Sequence, residues 1–325
     1  MNSITKTKLS KEQLERLVRK AFGEDKNITG INEFNDGWFN AIYSISFEDN
    51  KEVVLKISPT LDIRVLTYEK DIMNTEVKVM QLLRESTDLP IPEVYYYDKS
   101  RTLIDSEYYF MEKIKGEAYN KVKEKLSEEQ RHCIDKQIGA CNRRINGIKG
   151  DRFGSIAVEE KTGTSWSEVF IGMVKDVLRN GEEYEVKLPY EYKYIERLFT
   201  DHKASFDKVT EPCLVHWDLH EGNVFVNESY DKIVGIIDFE RAFYGDPLIE
   251  ICFGKFYDRK NFVEGYGKDL IASKEDECTR ILYDLYLSLI MVIECKYRNF
   301  DNPDHVKWAK GMLEMDVKRL EERLK

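Results

Sequence analysis

Apolar positions in the first third of the chain change period more than once. Leu14, Leu17, Val18 and Phe22 recur at helical spacing, with Ser10 and Gln13 as a capping box before them and Gly23 after them. That pattern predicts a short leading helix. Strand-like runs then cover residues 41–47, 53–57, 95–97 and 108–111, and the turn Glu48-Asp49-Asn50-Lys51 joins the first two as a hairpin. Between the second and third runs, Met73, Val77, Met80 and Leu83 share one face of a helix expected over about 66–84. Leu89-Pro90-Ile91-Pro92 ends it.

After Gly116 the pattern becomes helical. Ser127 with Gln130 opens a helix to about 145, Ser165 with Glu168 opens another to about 178, and a third covers about 189–199. Short apolar strands are expected at 213–215, 224–226 and 233–237. Beyond Pro247 the chain reads as helix, most plainly over 275–297 and 303–324. There is no internal repeat. The expected fold is α+β with two lobes, an antiparallel-sheet lobe at 1–114 and a mostly helical lobe at 115–325.

Composition narrows the function. The 325 residues are 34% charged and 42% hydrophobic, the balance of a folded domain. A net charge of −10 argues against a nucleic-acid partner and suits a cationic ligand. Six cysteines form no C-x-x-C pair, and no run of about 20 apolar residues is present to span a bilayer. The first residues, MNSITKTKLSKEQLERL, carry no apolar signal-peptide core. A cytoplasmic location with free thiols, no membrane and no protein partner is therefore expected.

The chemistry concentrates in His216–Asp238, HWDLHEGNVFVNESYDKIVGIID. Asp218 lies five residues before Asn223, and Asp238 follows an apolar run. A carboxylate to orient a hydroxyl, plus an amide and a second carboxylate for a metal, is what magnesium-dependent phosphoryl transfer requires. Asp218 is the candidate base, and Asn223 and Asp238 are the candidate Mg²⁺ ligands. His216 reads as a brace for the loop. His220 either points at the transferred phosphate or only shapes the loop.

Lys56 interrupts an otherwise apolar strand, Val53-Val54-Leu55-Lys56-Ile57. A buried lysine needs an anion. The helix after it offers Glu76, with Glu69 as the alternative, and a lysine so held can face nucleotide phosphates. The other reading is an edge strand with Lys56 in water. Phe34–Asn40 either folds over the phosphates, with Gly37 and Asn40 as donors, or is a plain turn leading into a strand. After Tyr109-Phe110-Met111, the backbone of Glu112 to Ile114 can read an adenine edge, core packing being the alternative. Trp217 stands between His216 and Asp218, and no long segment with A-P-E follows Asp238, so there is little platform for a protein substrate.

These motifs resemble the aminoglycoside phosphotransferase family, the small-molecule kinase branch of the protein-kinase-like superfamily. Leu214-Val215-His216-Trp217-Asp218-Leu219-His220-Glu221-Gly222-Asn223, Gly235-Ile236-Ile237-Asp238-Phe239-Glu240 and Gly245-Asp246-Pro247 carry the likeness, which runs from about Phe34 to Glu250. It implies a bilobal protein-kinase-like fold. It also implies Asp218 as base, Asn223 and Asp238 on magnesium, Lys56 on the nucleotide phosphates paired with Glu76, and Glu112 to Ile114 as the hinge at the purine. The sequence departs from the family at Trp217, where a small residue is common, and at Glu250, where an Asp is common. Its phosphate loop is also poor in glycine. The expected activity is ATP- or GTP-dependent transfer of a γ-phosphate to a small-molecule hydroxyl, with an aminoglycoside-type antibiotic the leading acceptor. A metabolic kinase of an amino alcohol or sugar is the alternative, and a nucleotide-binding regulator without catalysis is a third reading. Asp246, Glu250, Glu294, Asp301, Asp304 and Glu314 are acidic groups available to a cationic acceptor. Tyr283, Tyr286 and Tyr297 either stack on a sugar or pack in the core.

Overall fold

The computed structural model describes residues 5–34, 39–255, 259–300 and 302–324. The chain forms two compact units. One comprises the residues up to Arg64 together with Met80–Lys115, the other Val65–Val79 together with the residues from Gly116 on.

In the first unit, α1 (Lys11–Phe22) begins at Ser10. The Ser10 hydroxyl accepts from the Gln13 N–H at 3.2 Å, and the Gln13 side chain accepts from the Ser10 N–H at 2.9 Å. Then come β1 (Ile28–Phe34), β2 (Ala41–Phe47), β3 (Glu52–Ile57), β4 (Val94–Asp98) and β5 (Tyr108–Glu112); α2 (Ile72–Ser86), between β3 and β4 in the chain, belongs to this unit only from Met80 on. The strands form one antiparallel sheet in the order β1-β2-β3-β5-β4. β1 was not anticipated from the sequence. It is an edge strand with no buried residue, so it lacks the apolar alternation that marks the others.

β3 lies inside this sheet, between β2 and β5. Val53, Leu55 and Ile57 pack with Leu14, Leu17 and Val18 of α1. Alternation along a strand then sends Lys56 to the opposite face, across from Ile42 and Tyr109, where it is 5% exposed. The edge-strand reading of Lys56 is therefore wrong.

The helix expected from residue 66 starts at Ile72 instead. The Glu69 carboxylate accepts from the Leu66 N–H at 2.8 Å and pairs with Arg298 at 2.8 Å, which winds Thr67–Glu69 into a 3-10 turn. Asp71 then takes a left-handed φ of 58° before α2 begins. A tertiary ion pair thus overrides local helical periodicity.

The second unit contains β6 (Glu117–Ala118), α3 (Tyr119–Val122), α4 (Glu128–Asn146), β7 (Phe153–Ser155), β8 (Thr162–Gly163), α5 (Trp166–Glu183), α6 (Tyr192–Thr200) and α7 (Lys203–Phe206). It continues with β9 (Cys213–Val215), β10 (Val224–Val226), β11 (Ile233–Ile236), β12 (Phe243–Gly245), α8 (Arg259–Tyr266), α9 (Lys274–Tyr297) and α10 (Pro303–Leu324). Two small sheets, β11-β10-β6 and β8-β7-β12-β9, lie among the helices. The Phe170 ring sits 4.9–5.9 Å from those of Phe199, Phe206, Tyr283 and Tyr286. Tyr283, Tyr286 and Tyr297 are all buried, which settles them as core side chains. Among the described residues no helix is long and apolar enough to cross a membrane, and all six cysteines are free thiols.

Two glycines let α4 and α8 touch backbone to backbone. A Cβ on Gly139 would lie 2.0 Å from the Phe262 carbonyl oxygen, and one on Gly265 would lie 1.8 Å from that of Lys136. Gly172 on α5, in contrast, has nothing within 4 Å. Gly139→Ala should therefore destabilise the protein by at least about 1–3 kcal/mol in urea unfolding. Gly172→Ala should stabilise it by about 0.4–1 kcal/mol in the same measurement.

Candidate active site

The loop between β9 and β10 carries Asp218 and Asn223, and β11 leads directly to Asp238. Pairing of Val224 with Ile236 brings Asn223 beside Ile237. The Ile237 N–H donates to the Asn223 carbonyl at 3.1 Å, and Asn223 Nδ2 donates to the Asp218 carbonyl at 2.9 Å. His216 closes the ring of contacts. Its Nδ1 accepts from the Asp218 N–H at 3.2 Å and its Nε2 lies 3.1 Å from the Ile237 carbonyl. That pair of bonds fits an imidazole protonated at Nε2, wedged against Phe239 at 4.4 Å. Asp218, Asn223 and Asp238 thus meet at one end of the β10–β11 hairpin, and His216 braces the loop as its position suggested.

The loop bends sharply at Trp217, whose φ of 60° is a left-handed value rare for a bulky residue and costing about 1–3 kcal/mol. Glu250 holds that bend. Its Oε1 accepts from the His216 N–H at 2.9 Å, Asn142 Nδ2 at 2.8 Å and Asn146 Nδ2 at 3.0 Å, while Oε2 accepts from the Trp217 N–H at 2.8 Å. Glu250 is 0% exposed, so it does not serve as an acidic group for a cationic acceptor. Cys252 packs behind the same loop, its thiol 2.9 Å from the Leu219 carbonyl and its pKa raised by burial. The Trp217 indole is buried and stacks on Tyr286 at 5.5 Å.

The ligand atoms of Asp238, Glu76 and Glu240 lie within 4.8 Å of one another. Asn223 commits its amide nitrogen to Asp218, leaving its side-chain oxygen as the atom it can offer a metal. These donors are all oxygen, the set that a hard cation such as Mg²⁺ takes. Glu69, the alternative to Glu76, is committed to Arg298 at 2.8 Å; burial raises its pKa, and the pairing with Arg298 opposes that rise without cancelling it.

Sequence reasoning did not single out Glu240 or Arg241, and it took Glu250 only as an acid available to an acceptor and as a departure from the family's Asp. Arg241 is half-buried, with its guanidinium 5.6 Å from the centre of the Tyr68 ring, which itself sits edge-on to Trp217 at 6.2 Å. Burial works against the charge, but Tyr68, Asp218, Glu294 and Glu240 outweigh it and keep the Arg241 pKa above its ordinary value. Glu240, two residues after Asp238, had a usable signal in that spacing. Glu250 and Arg241 had none, because their partners lie far away in sequence.

The remaining candidates are placed as follows. His220 Nδ1 accepts from the Gly222 N–H at 2.9 Å and caps the 3-10 turn Glu221–Asn223. In the first unit Lys56 and Asn40 are buried. The Glu112 N–H is taken by the Glu93 carbonyl at 2.8 Å, and Ile114 lies two residues past the end of β5. Gly37 lies outside the described residues.

Glu250→Gln tests the brace. The amide must turn its NH₂ toward at least one of the four donors, so a buried hydrogen bond is lost. Stability to urea should fall by about 1–3 kcal/mol, without change in the dependence of unfolding free energy on urea concentration.

Comparison with known proteins bears on this site. A proposed aminoglycoside phosphotransferase of Ralstonia eutropha JMP134 superposes with a TM-score of 0.67 at 13% identity, covering 97% of this chain and 99% of that one. A proposed fructosamine-3-kinase of Thermobifida fusca gives 0.67 at 14% identity, covering 94% and 98%. The streptomycin–ATP complex of APH(2″)-IIa gives 0.63 at 20% identity, covering 97% of each. These likenesses establish the kinase-like bilobal fold, an antiparallel N-terminal sheet followed by a helical C-terminal region. Among curated sequences, altered inheritance of mitochondria protein 9 of the yeast Meyerozyma guilliermondii is 26% identical over 145 residues, 43% of this chain. The chain spans 24% of that relative's length and 30% of the length of an Arabidopsis thaliana relative. With residues 30–277 matching its pattern, the chain belongs to the phosphotransferase enzyme family.

Proposed function

We propose that the protein transfers the γ-phosphoryl group of ATP or GTP to a hydroxyl of a small molecule, an aminoglycoside-type antibiotic being the leading acceptor. The observation that carries this reading is the meeting of Asp218, Asn223 and Asp238 at one end of the β10–β11 hairpin. The neighbour that holds streptomycin and ATP supports it.

In this reading Asp218 accepts or orients the proton of the attacking hydroxyl. Its main-chain N–H and carbonyl are both engaged, by His216 and Asn223, which fixes where the side chain starts. Phosphoryl transfer asks mainly for such positioning. Asn223 and Asp238 would hold Mg²⁺, with Glu240 and Glu76 close enough to Asp238 to share in binding it. Bound there, the ion neutralises charge building on the phosphate oxygens. His220, with Nδ1 engaged, presents its Nε2 edge to the phosphate. By resemblance to the family, Lys56 and Asn40 are the candidates for the nucleotide phosphates and Glu112 to Ile114 for the purine.

Arg241 favours a second acceptor class. A cation held near Asp218 suits a neutral or anionic acceptor better than a polycation. A metabolic kinase of a sugar therefore stays in contention, whereas an amino alcohol, itself a cation at neutral pH, gains nothing from Arg241.

Nucleotide consumption measured with ATP and with GTP, against aminoglycosides including hygromycin-like aminocyclitols, amino alcohols and sugars, separates these acceptors. Nucleotide binding without turnover on any of them would leave a non-catalytic regulator. Asp218→Asn should lower kcat by about 10²–10⁴ while nucleotide affinity is kept. Full turnover by Asp218→Asn ends the assignment.

A further inference from the structure

Glu250 braces the catalytic loop with its side chain, and its own main chain is held in turn. Arg280 of α9, 3% exposed, donates through Nη1 to the carbonyls of Leu248 at 2.6 Å and Glu250 at 3.0 Å. Its Nη2 donates to Asp284 Oδ1 at 2.9 Å. The second oxygen of Asp284 accepts from Arg319 Nη1 of α10 at 3.2 Å, and the same nitrogen reaches Asp316 at 3.1 Å. Asp316, fully buried, also accepts from Ser288 at 2.6 Å and pairs with Lys255. A continuous path of polar contacts therefore runs from α10 through α9 to the loop carrying Asp218. Arg280, Asp284, Asp316 and Arg319 all lie beyond residue 277, outside the part of the chain that matches the family.

We infer that Arg280, with Asp284 and Arg319, is a positioning set for the reaction: the C-terminal helix holds the main chain of Glu250, and through it the bend that aims Asp218. Buried ion pairs are poor stabilisers when a well-packed apolar group could replace them. Here one arm of the arginine fork, Nη1, engages the main-chain carbonyls of Leu248 and Glu250 while the other, Nη2, holds Asp284, which no apolar side chain could do. The Glu250 carboxylate then takes the two N–H groups of the strained turn. Backbone on both sides of the brace is thus fixed, and a shift of about 1 Å at a reacting group costs about 10²-fold in rate. Tyr283 adds a second hold from α9, donating to Asp246 at 2.7 Å. This inference rests on the reading of Asp218 as the group that orients the acceptor.

Arg319→Gln is the decisive variant, because Arg319 keeps a third of its side-chain surface exposed and its replacement leaves α10 able to pack. Arg323→Gln is the control. It breaks an ion pair of the same helix, with Glu277, that does not reach Asp284. Hydrogen exchange of the His216 and Trp217 amides, read by mass spectrometry on peptides covering 213–223, should be about tenfold faster in Arg319→Gln. It should match the wild type in Arg323→Gln. With the acceptor that the panel identifies, kcat should fall about 10–100-fold while KM for MgATP stays within about twofold. Arg280→Lys, which keeps the charge and loses the fork, should act in the same direction.

Unchanged loop exchange in Arg319→Gln overturns the inference, as does equal acceleration in Arg323→Gln or faster exchange at wild-type kcat. The exchange measurement needs no turnover. It therefore fails or succeeds independently of whether Asp218 proves catalytic.

Discussion

A single carboxylate with no access to water holds the loop that carries Asp218. Glu250 receives four hydrogen bonds, two from side-chain amides of α4 and two from consecutive main-chain N–H groups at His216 and Trp217. A buried charge is tolerable only when its lone pairs are satisfied, and each donor here is itself fixed in a helix or a strand-end turn. The left-handed φ at Trp217 persists because the surroundings over-determine it. Without that bend, the short span between β9 and β10 would have no reason to return Asn223 to the main chain of Asp218.

The hairpin that follows uses the same economy. Its strands are only three and four residues long, too short to be stable alone. Register is secured by the apolar residues Val224, Val226, Ile233 and Ile236, all buried. Because Val224 faces Ile236, the residues just outside the pair, Asn223 and Ile237, are forced together, and Asp238 follows one residue later. Asp238 itself sits at φ 69°, ψ 53°, a conformation that a short polar side chain tolerates better than most.

Much of this was legible in the sequence where a signal is local. The capping boxes at Ser10 and Ser127 mark true helix starts, and the strands at 41–47, 213–215 and 224–226 have the bounds that their apolar runs predict. Local signals fail where distant partners decide. The start of α2 is set by Arg298, more than 200 residues away, acting on Glu69. The edge strand β1 has almost no apolar face to read, and the close packing of α8 on α4 rests on glycines whose partners lie on the other helix. In the site, spacing alone brought out Asp218, Asn223 and Asp238. Glu250, in contrast, looked like one surface acid among several, since nothing nearby in sequence shows that Asn142 and Asn146 enclose it.

The thiol behind the loop has a practical implication. Cys252 is 1% exposed, and its sulfur faces the Leu219 carbonyl. Burial disfavours its thiolate, which is the reactive form. Alkylating reagents should therefore modify it only when the segment carrying Asp218 detaches from the protein behind it. The chain consequently contains its own chemical clock for that opening, readable as a labelling rate with no probe introduced.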